Sequence, residues 1–467
     1  MQNERKEKMT GKELILKALA METVERIPWV PFCGVQTGAL IGKNATEYLN
    51  DSKNIVDGLN KAIELYRPDG FPIIFDLQIE AEILGCELNW SEDNPPAVVS
   101  HPLSMLGGKS ITDLKMIEAS DGRIPIVLDA LKVMREIHQD KAIYGLITGP
   151  YTLALHLLGT EIFMEMFDNP DRIHEIIAFC NDIAKKMSSI YLEGGCDIIA
   201  VVDPMTSQIG PDQFKQFCSE PCVELFEHIR AEGGKGSFFV CGHAKNNIEV
   251  MCDTKPDNIS IDENIPLDYV KDICIDKNVS FGGNMKLTTV MLLGTPLDNQ
   301  YEAIECMEIG GTKGFILAPG CDMPYAIPLE NVEAIAEVVH DEYKREVAKE
   351  LAAKREVVEE AEMDLSEYQS NDKLKVDIIT LDSEGCPPCQ YMVAAVKEAV
   401  EEIEHDMTIE WVEHKIKNPD SVRLMKALDV KNIPTVCIDG EVAFVSHIPR
   451  KEEIMEAIIK KAHEKDS

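Results

Sequence analysis

Two apolar runs in this chain end in a cysteine that could bind a metal ion. The segment "SFFVCGHAKN" places Cys241 and His243 around a glycine, and "FILAPGCDMP" ends its apolar run at Cys321. Thiolates and imidazoles are the ligands that zinc prefers in proteins. The alternative is that both cysteines are small buried hydrophobic residues at strand ends. Whether other possible metal ligands lie near them distinguishes the two interpretations.

A second kind of thiol chemistry is indicated near the C-terminus. The motif "CPPC" separates Cys386 from Cys389 by two prolines, after an apolar run and before a helical pattern. A Cys-x-x-Cys motif alone is ambiguous, because it also occurs as half of a zinc site. The rest of the 14 cysteines follow no disulfide framework, so we expect mostly reduced thiols.

Composition excludes several classes of partner. A chain of 467 residues with 45% apolar residues is expected to form two or three globular domains. Its net charge of −36 repels phosphate backbones and anionic lipids, so we predict no nucleic-acid or membrane partner. No segment approaches the ~20 apolar residues of a membrane helix, and the N-terminus lacks the pattern of a signal peptide. The sequence therefore predicts a cytoplasmic protein.

The elements that position Cys241 and Cys321 alternate between short strands and longer helices. Eight strand–helix units precede residue 346, which predicts an α/β fold with a (β/α)8 TIM-like barrel; an open doubly wound sheet is the alternative. One helix is predicted to begin at Pro170 and to end at Gly194-Gly195. In a parallel barrel the carboxyl ends of all strands face one side, where active sites are built. The predicted strand ends are Cys33, Asp76, Thr148, Asp203, Cys241, Asp262, Asn284 and Cys321.

A change in composition divides the chain. Residues 331–363 are rich in Ala, Glu, Lys, Arg and Val at helical spacing. We predict a barrel over residues 1–346, a charged helical linker over 347–372 and a small α/β domain over 373–467. A long helix inside one domain is the alternative for this segment.

The first 346 residues resemble the uroporphyrinogen decarboxylase superfamily, through "FDLQIEAEILG", "GPYTLALHLLG", "DPMTSQIGPDQFKQF" and "GGTKGFILAPGCDMP". The "VCG" and "APGCDMP" motifs resemble those of its zinc-dependent corrinoid methyltransferases. The resemblance implies that Cys241 and Cys321 are zinc ligands. Phe239 stands where that group has a third ligand, a histidine, so His243 or Asp203 is a candidate to complete the site. Asp76 matches an aspartate of the family's cavity and is expected to contact substrate, with a strand-end cap as the alternative.

The resemblance further implies an activity. A methyl group would move between a methylcorrinoid, carried as co-substrate on a partner corrinoid protein, and a small thiol, with zinc as cofactor. Zinc deprotonates a bound thiol and so creates the nucleophile for such a transfer. Porphyrinogen decarboxylation is disfavoured, because "PWVPFCGVQTGALIG" carries no basic side chain to hold the carboxylates of a porphyrin.

Residues 373–467 resemble the thioredoxin and glutaredoxin families, because "CPPC" is followed at a distance by "NIPTVCIDG". This implies a small thioredoxin-like domain that exchanges thiols with disulfides. Cys386, at a helix N-terminus that lowers its pKa, would attack and Cys389 would resolve the mixed disulfide. Pro434 is expected to be cis. A structural or metal-binding role for the two cysteines is the alternative.

The sequence leaves the reason for this fusion open. The redox domain could keep barrel or substrate thiols reduced, accept the methyl group on Cys386, or process a thiol-linked product. Two other functions also remain: a thiol–disulfide oxidoreductase whose barrel is a binding scaffold, and a noncatalytic subunit that docks to a corrinoid protein.

Overall fold

The computed structural model describes residues 9–353, 365, 368, 373–381, 383, 387–403, 408–416, 418–430, 433–445 and 448–465. The strands are β1 (Gly70–Pro72), β2 (Leu88–Asn89), β3 (Ala97–Val98), β4 (Ala142–Thr148), β5 (Ile198–Val202), β6 (Lys235–Val240), β7 (Asn258–Ile261), β8 (Ser280–Met285), β9 (Phe315–Pro319), β10 (Leu374–Thr380), β11 (Ile409–Lys415), β12 (Thr435–Ile438) and β13 (Glu441–Val445).

The α-helices are α1 (Gly11–Leu19), α2 (Gln36–Ala39), α3 (Ala45–Leu49), α4 (Ser52–Tyr66), α5 (Ile79–Ile83), α6 (Ile124–Ile137), α7 (Pro150–Leu158), α8 (Ile162–Asp168), α9 (Pro170–Gly194), α10 (Pro211–Gln213), α11 (Ser219–Ala231), α12 (Ile248–Asp253), α13 (Leu267–Lys277), α14 (Pro296–Gly310), α15 (Leu329–His340), α16 (Glu342–Ala353), α17 (Pro387–Ile403), α18 (Pro419–Ala427) and α19 (Lys451–Lys465). Among the residues described, no helix is long and apolar enough to cross a membrane.

The larger unit is a curled parallel sheet in the order β1-β4-β5-β6-β7-β8-β9. The segment around Trp29 lies between its two edges. Trp29 forms a parallel bridge with Leu317 of β9, and its carbonyl accepts a hydrogen bond from the Asp69 N–H at 2.9 Å, next to β1. The TIM-like barrel prediction is therefore confirmed, with the first predicted strand present as this bridging segment.

Local sequence explains the elements that surround the barrel strands. All seven residues of β4 are buried, as expected for a strand covered on both faces. Helix α9 begins at Pro170 and ends at Gly194, as predicted, and Gly195 takes the left-handed conformation at φ +113° that ends the helix.

The smaller unit is a four-stranded sheet in the order β11-β10-β12-β13, in which β10 is parallel to β11 and antiparallel to β12. Its core joins the sheet to α17 and α19. The peptide bond between Ile433 and Pro434 is cis, as predicted. Most of the predicted linker, residues 347–372, lies outside the described residues, and the predicted domain boundaries remain a prediction.

The smaller unit packs against the face of the barrel at which the strands end. The Gln390 side chain of α17 donates a hydrogen bond to the Val98 carbonyl. The Ile448 N–H donates to Oε1 of Gln208 at 3.0 Å, in the 3₁₀ turn that follows β5. Tyr391 is 4% exposed and belongs to the barrel's hydrophobic core. These contacts place the start of α17, with Cys389, above the carboxyl ends of the strands.

Candidate functional site

One cavity of about 310 Å³ lies between the mouth of the barrel and the smaller unit. We call it the shared cavity. Its barrel wall includes Cys241, Asp262, Glu263, Lys286, Cys321 and Asp322, and its other wall includes Pro388, Cys389, Ile416, Met425, Ile433 and Pro434.

The structure brings Cys241 and Cys321 together in this cavity. Cys241 follows directly after β6, and Cys321 lies two residues after β9, so both lie at the carboxyl ends of barrel strands, although β7 and β8 separate those strands in the sheet. The Cys241 thiol donates to the Cys321 sulfur at 3.2 Å. This hydrogen bond, together with burial, raises the pKa of Cys241 well above its usual range. Cys241 is therefore a neutral thiol unless a cation stabilises its thiolate.

Two adjacent carboxyl groups stand beside the thiols. Asp262 Oδ2 accepts the Gly242 N–H at 2.6 Å, and burial raises the Asp262 pKa to about 6. Burial, and then the charge of Asp262, raises the pKa of Glu263 to about 8. Sequence reasoning placed Asp262 at a strand end but named neither residue as part of the site. The polar run "DEN" directly after the strand "NISI" was the available signal.

The cation of the cavity is already paired. The Lys286 ammonium lies 2.8 Å from both carboxylate oxygens of Glu302, and among the described lining residues it is the one Lys or Arg. Asp322 accepts the Gly34 N–H at 2.7 Å, and burial raises its pKa well above the usual range. Near neutral pH Glu263 is thus largely protonated, whereas Asp262, with a pKa of about 6, is largely ionised.

Phe239 occupies the position of the expected histidine and packs in an aromatic cluster. Its ring is fully buried inside the barrel, with ring centroids 4.9 Å from Phe32 and 5.9 Å from Phe75. Because alternate residues of a strand face the same side, Phe239 lies on the same face as Cys241 and forms part of an apolar floor beneath it.

Asp203, a predicted metal ligand, is hydrogen-bonded to the start of α7 instead. Its Oδ1 accepts the N–H of Thr152 at 2.8 Å and the Thr152 hydroxyl at 2.6 Å, and its Oδ2 accepts the Tyr151 N–H at 3.2 Å. These donors belong to the first turn of α7. Burial raises the Asp203 pKa to about 6. The geometry supports a helix-capping role, and Asp203 is not among the residues lining the shared cavity.

The other candidate ligand, His243, is half-buried in the loop after β6. Burial lowers its pKa, and it too does not line the shared cavity. Within the described part of the chain, no group of three or more His, Cys, Asp and Glu side chains is arranged to hold a metal ion. The structure therefore brings together two of the four predicted ligands.

Asp76 lies in a buried ion pair with Arg123, a partner that sequence reasoning missed. Asp76 Oδ1 also accepts the Gln78 N–H at 2.9 Å, and the Arg123 guanidinium lies 4.9 Å from the centroid of the Trp90 ring. Gln78 lines the shared cavity and Asp76 does not. The contact of Asp76 with substrate remains a prediction.

The redox motif reaches the cavity through Cys389. This residue lies in the first turn of α17, is 0% exposed to solvent and is disulfide-bonded. The cis residue Pro434 lines the same cavity. Cys386 lies outside the described residues.

Comparisons with known proteins identify relatives of both units. A sequence model of the thioredoxin domain matches residues 374–459. The methylcobamide:CoM methyltransferase MtbA of Methanosarcina acetivorans is 24% identical over 337 residues, covering 70% of this chain and 97% of that protein. MtaA of Methanosarcina barkeri, also named a methylcobamide:CoM methyltransferase, is 29% identical and covers 72% and 98%.

A solved structure supports the same relationship. A methyltransferase from Methanosarcina mazei superposes with a TM-score of 0.65 and 25% identity, covering 72% of this chain and all of that one. The sequence model of the uroporphyrinogen decarboxylase (URO-D) family matches residues 10–342, which is well over half of the chain. The chain belongs to the uroporphyrinogen decarboxylase family.

Proposed function

We propose that the barrel transfers a methyl group between a methylcorrinoid, carried by a partner protein, and a small thiol. The observation that carries this proposal is the convergence of Cys241 and Cys321 at 3.2 Å in a cavity at the carboxyl ends of the strands. Relatives that match nearly their whole length to this barrel are named for methyl transfer between a methylcobamide and coenzyme M.

The proposal includes zinc, which Cys241 and Cys321 would hold. Two sulfurs this close can both reach one ion, because Zn–S bonds are about 2.3 Å long. A third donor is not in place; His243 and Glu263 are the nearby groups able to supply one. Bound zinc would lower the pKa of an incoming thiol and give a thiolate at neutral pH.

The protein's own side chains have separate tasks in this reaction. The apolar floor around Phe239 excludes water from beneath the thiols. The protonated carboxyl of Glu263 holds a proton beside them below about pH 8. A cavity of about 310 Å³ suits a small thiol such as coenzyme M, the acceptor named for the relatives.

For the C-terminal domain we propose thiol–disulfide exchange by Cys386 and Cys389. A cysteine in the first turn of a helix is stabilised as a thiolate by the backbone N–H groups. The disulfide of Cys389 supports this role.

The test of methyl transfer uses the full chain purified without oxygen. We expect about one zinc per chain and thiol-dependent demethylation of methylcobalamin, with a rate loss of at least about 100-fold in Cys241→Ser and in Cys321→Ser. Cys252→Ser is the matched control, since Cys252 lies 3.7 Å from Cys274 in a buried pair away from the cavity.

The outcomes separate the candidate functions. A folded, zinc-supplemented chain that neither binds zinc nor demethylates methylcobalamin, yet reduces insulin, would show that the barrel is a scaffold for a thiol–disulfide oxidoreductase. Binding of a corrinoid protein with neither activity would indicate a noncatalytic docking subunit.

A further inference from the structure

Cysteines from both units face one enclosed volume. Cys241 and Cys321 come from the barrel, and Cys389 comes from the redox motif, yet all three line the shared cavity. The barrel cysteines are free thiols, whereas Cys389 is in a disulfide. The barrel cysteines are therefore reduced in this structure, and Cys389 is oxidised.

Within the redox motif, Cys389 faces the barrel and not solvent. Cys389 is 0% exposed, and its neighbours on the cavity wall, Pro388, Ile433 and Pro434, cover the barrel mouth. Tyr391, two residues along α17, is buried in the barrel core. In this arrangement Cys389 faces the cavity at the barrel mouth and not bulk solvent.

The sulfurs of the barrel pair lie close together. They are 3.2 Å apart, and a disulfide bond is about 2.05 Å long, so they must approach by about 1 Å to be joined. Both residues are partly exposed, and both line the shared cavity. The pair is therefore both able to oxidise and open to attack from across the cavity.

We propose that the C-terminal dithiol reduces a Cys241–Cys321 disulfide within the same chain, through the shared cavity. This names the substrate of the redox domain and rests on the thiol–disulfide exchange proposed for it. The barrel site is thereby kept as free thiols, the form that can hold a metal ion.

The exchange is balanced without a further reactant. A thiolate of the Cys386/Cys389 pair attacks one sulfur of the barrel disulfide, the S–S bond breaks, and the departing thiolate takes up a proton. The second thiol of the pair loses its proton and attacks the mixed disulfide, which releases the second barrel thiol. Two electrons pass to the barrel, and the redox motif becomes the disulfide. An external dithiol then restores it.

The first experiment traps the intermediate in the full chain. In Cys389→Ser the resolving thiol is absent, so after a brief pulse of hydrogen peroxide to oxidise the barrel pair we expect an intramolecular disulfide between Cys386 and Cys241 or Cys321. Peptide mapping under non-reducing conditions identifies it. Cys252 and Cys274, a buried pair 3.7 Å apart and away from the cavity, serve as the internal control and should not be cross-linked to Cys386.

The second experiment does not depend on the trap. The wild-type chain and the Cys386→Ser/Cys389→Ser double variant are oxidised with peroxide and given a limiting dithiol, and the return of Cys241 and Cys321 thiols is followed by alkylation. We expect recovery about 100-fold slower in the double variant, because tethering replaces a bimolecular encounter.

The outcomes distinguish this inference from the function on which it rests. Insulin reduction by the wild-type chain, with no cross-link to the barrel and equal recovery rates, would overturn the inference and leave the redox function standing. Absence of both insulin reduction and exchange would overturn both. A cross-link to Cys252 or Cys274, or one found only between chains, would also overturn it.

Discussion

The barrel holds two pairs of neighbouring thiols in regions of opposite character. Cys241 and Cys321 are 3.2 Å apart at the mouth and face a cavity, whereas Cys252 and Cys274 are 3.7 Å apart between α12 and α13 and are fully covered. Their separation is similar, so distance alone does not mark a reactive pair. Access does: a thiol without a route for metal, substrate or oxidant behaves as a small hydrophobic side chain.

The largest expected effect comes from changing the floor of the mouth. Phe239→His restores a nitrogen donor below Cys241, but in the metal-free protein it places an unpaired imidazole among Phe32 and Phe75. We expect a loss of about 3 kcal/mol in the free energy of unfolding without zinc, and recovery of most of it with zinc. Denaturant titration with and without zinc measures both.

Phe239→Leu is the control for that prediction, because it removes the ring and adds no donor. If zinc stabilises Phe239→Leu as much as Phe239→His, position 239 is not able to ligate the metal.

The variant Asp203→Ala tests whether Asp203 stabilises the fold or binds the proposed zinc ion. Asp203→Ala removes three hydrogen bonds from the start of α7, so we expect a loss of about 2–3 kcal/mol in the free energy of unfolding. Zinc content should stay at the wild-type level in the folded protein. Loss of zinc with little loss of stability would assign Asp203 to the metal instead.

His156 provides a test in the buried part of the barrel, away from the accessible mouth. It is 1% exposed in α7, neither ring nitrogen has a hydrogen-bond partner, and burial lowers its pKa to about 3. Between pH 6.5 and 3 the unfolded chain binds a proton at this histidine and the folded chain does not. The free energy of unfolding therefore falls by about 1.4 kcal/mol for each unit by which the pH decreases.

Relative to His156→Leu, the wild-type protein should therefore lose about 2 kcal/mol between pH 6.5 and 5, with little difference in slope above pH 7. Urea titrations across this range give the measurement. Parallel pH profiles for the two proteins would mean that His156 is already protonated when folded.

The smallest effect is expected at the contact between the two units. Gln208→Ala removes the acceptor of the Ile448 N–H, worth about 1 kcal/mol. Alkylation of Cys241 and Cys321 in the native protein should accelerate about 5-fold, while Cys252 and Cys274 stay at their wild-type rates. Equal acceleration of both pairs would indicate general destabilisation rather than opening of the mouth.

The sequence carried the features that depend on local pattern. Buried strands appear as continuous apolar runs, Pro170 and Gly195 delimit α9, and Cys241 and Cys321 stand directly after strands whose ends must meet in a parallel barrel. The hairpin of β2 and β3 was missed, because two-residue strands leave no periodicity to detect.

Features that depend on distant contacts were not accessible. The partner of Asp76 is Arg123, 47 positions away, and no spacing rule links them. The raised pKa of Glu263 arises from burial, which is a property of the assembled barrel mouth. The position of Cys389 across from Cys241 follows from packing between two units, which neither motif encodes.

Because both units line the shared cavity, the two proposed reactions cannot take place there at the same time. The volume of about 310 Å³ lies at the low end of small-molecule pockets, roughly 300–1,000 Å³, and a corrinoid macrocycle exceeds a drug-sized ligand. A chain that accepts methyl groups at the barrel mouth must therefore separate its two units first, and a chain that exchanges disulfides must bring them together. The two reactions would then alternate in time, with the state of one site deciding when the other is open.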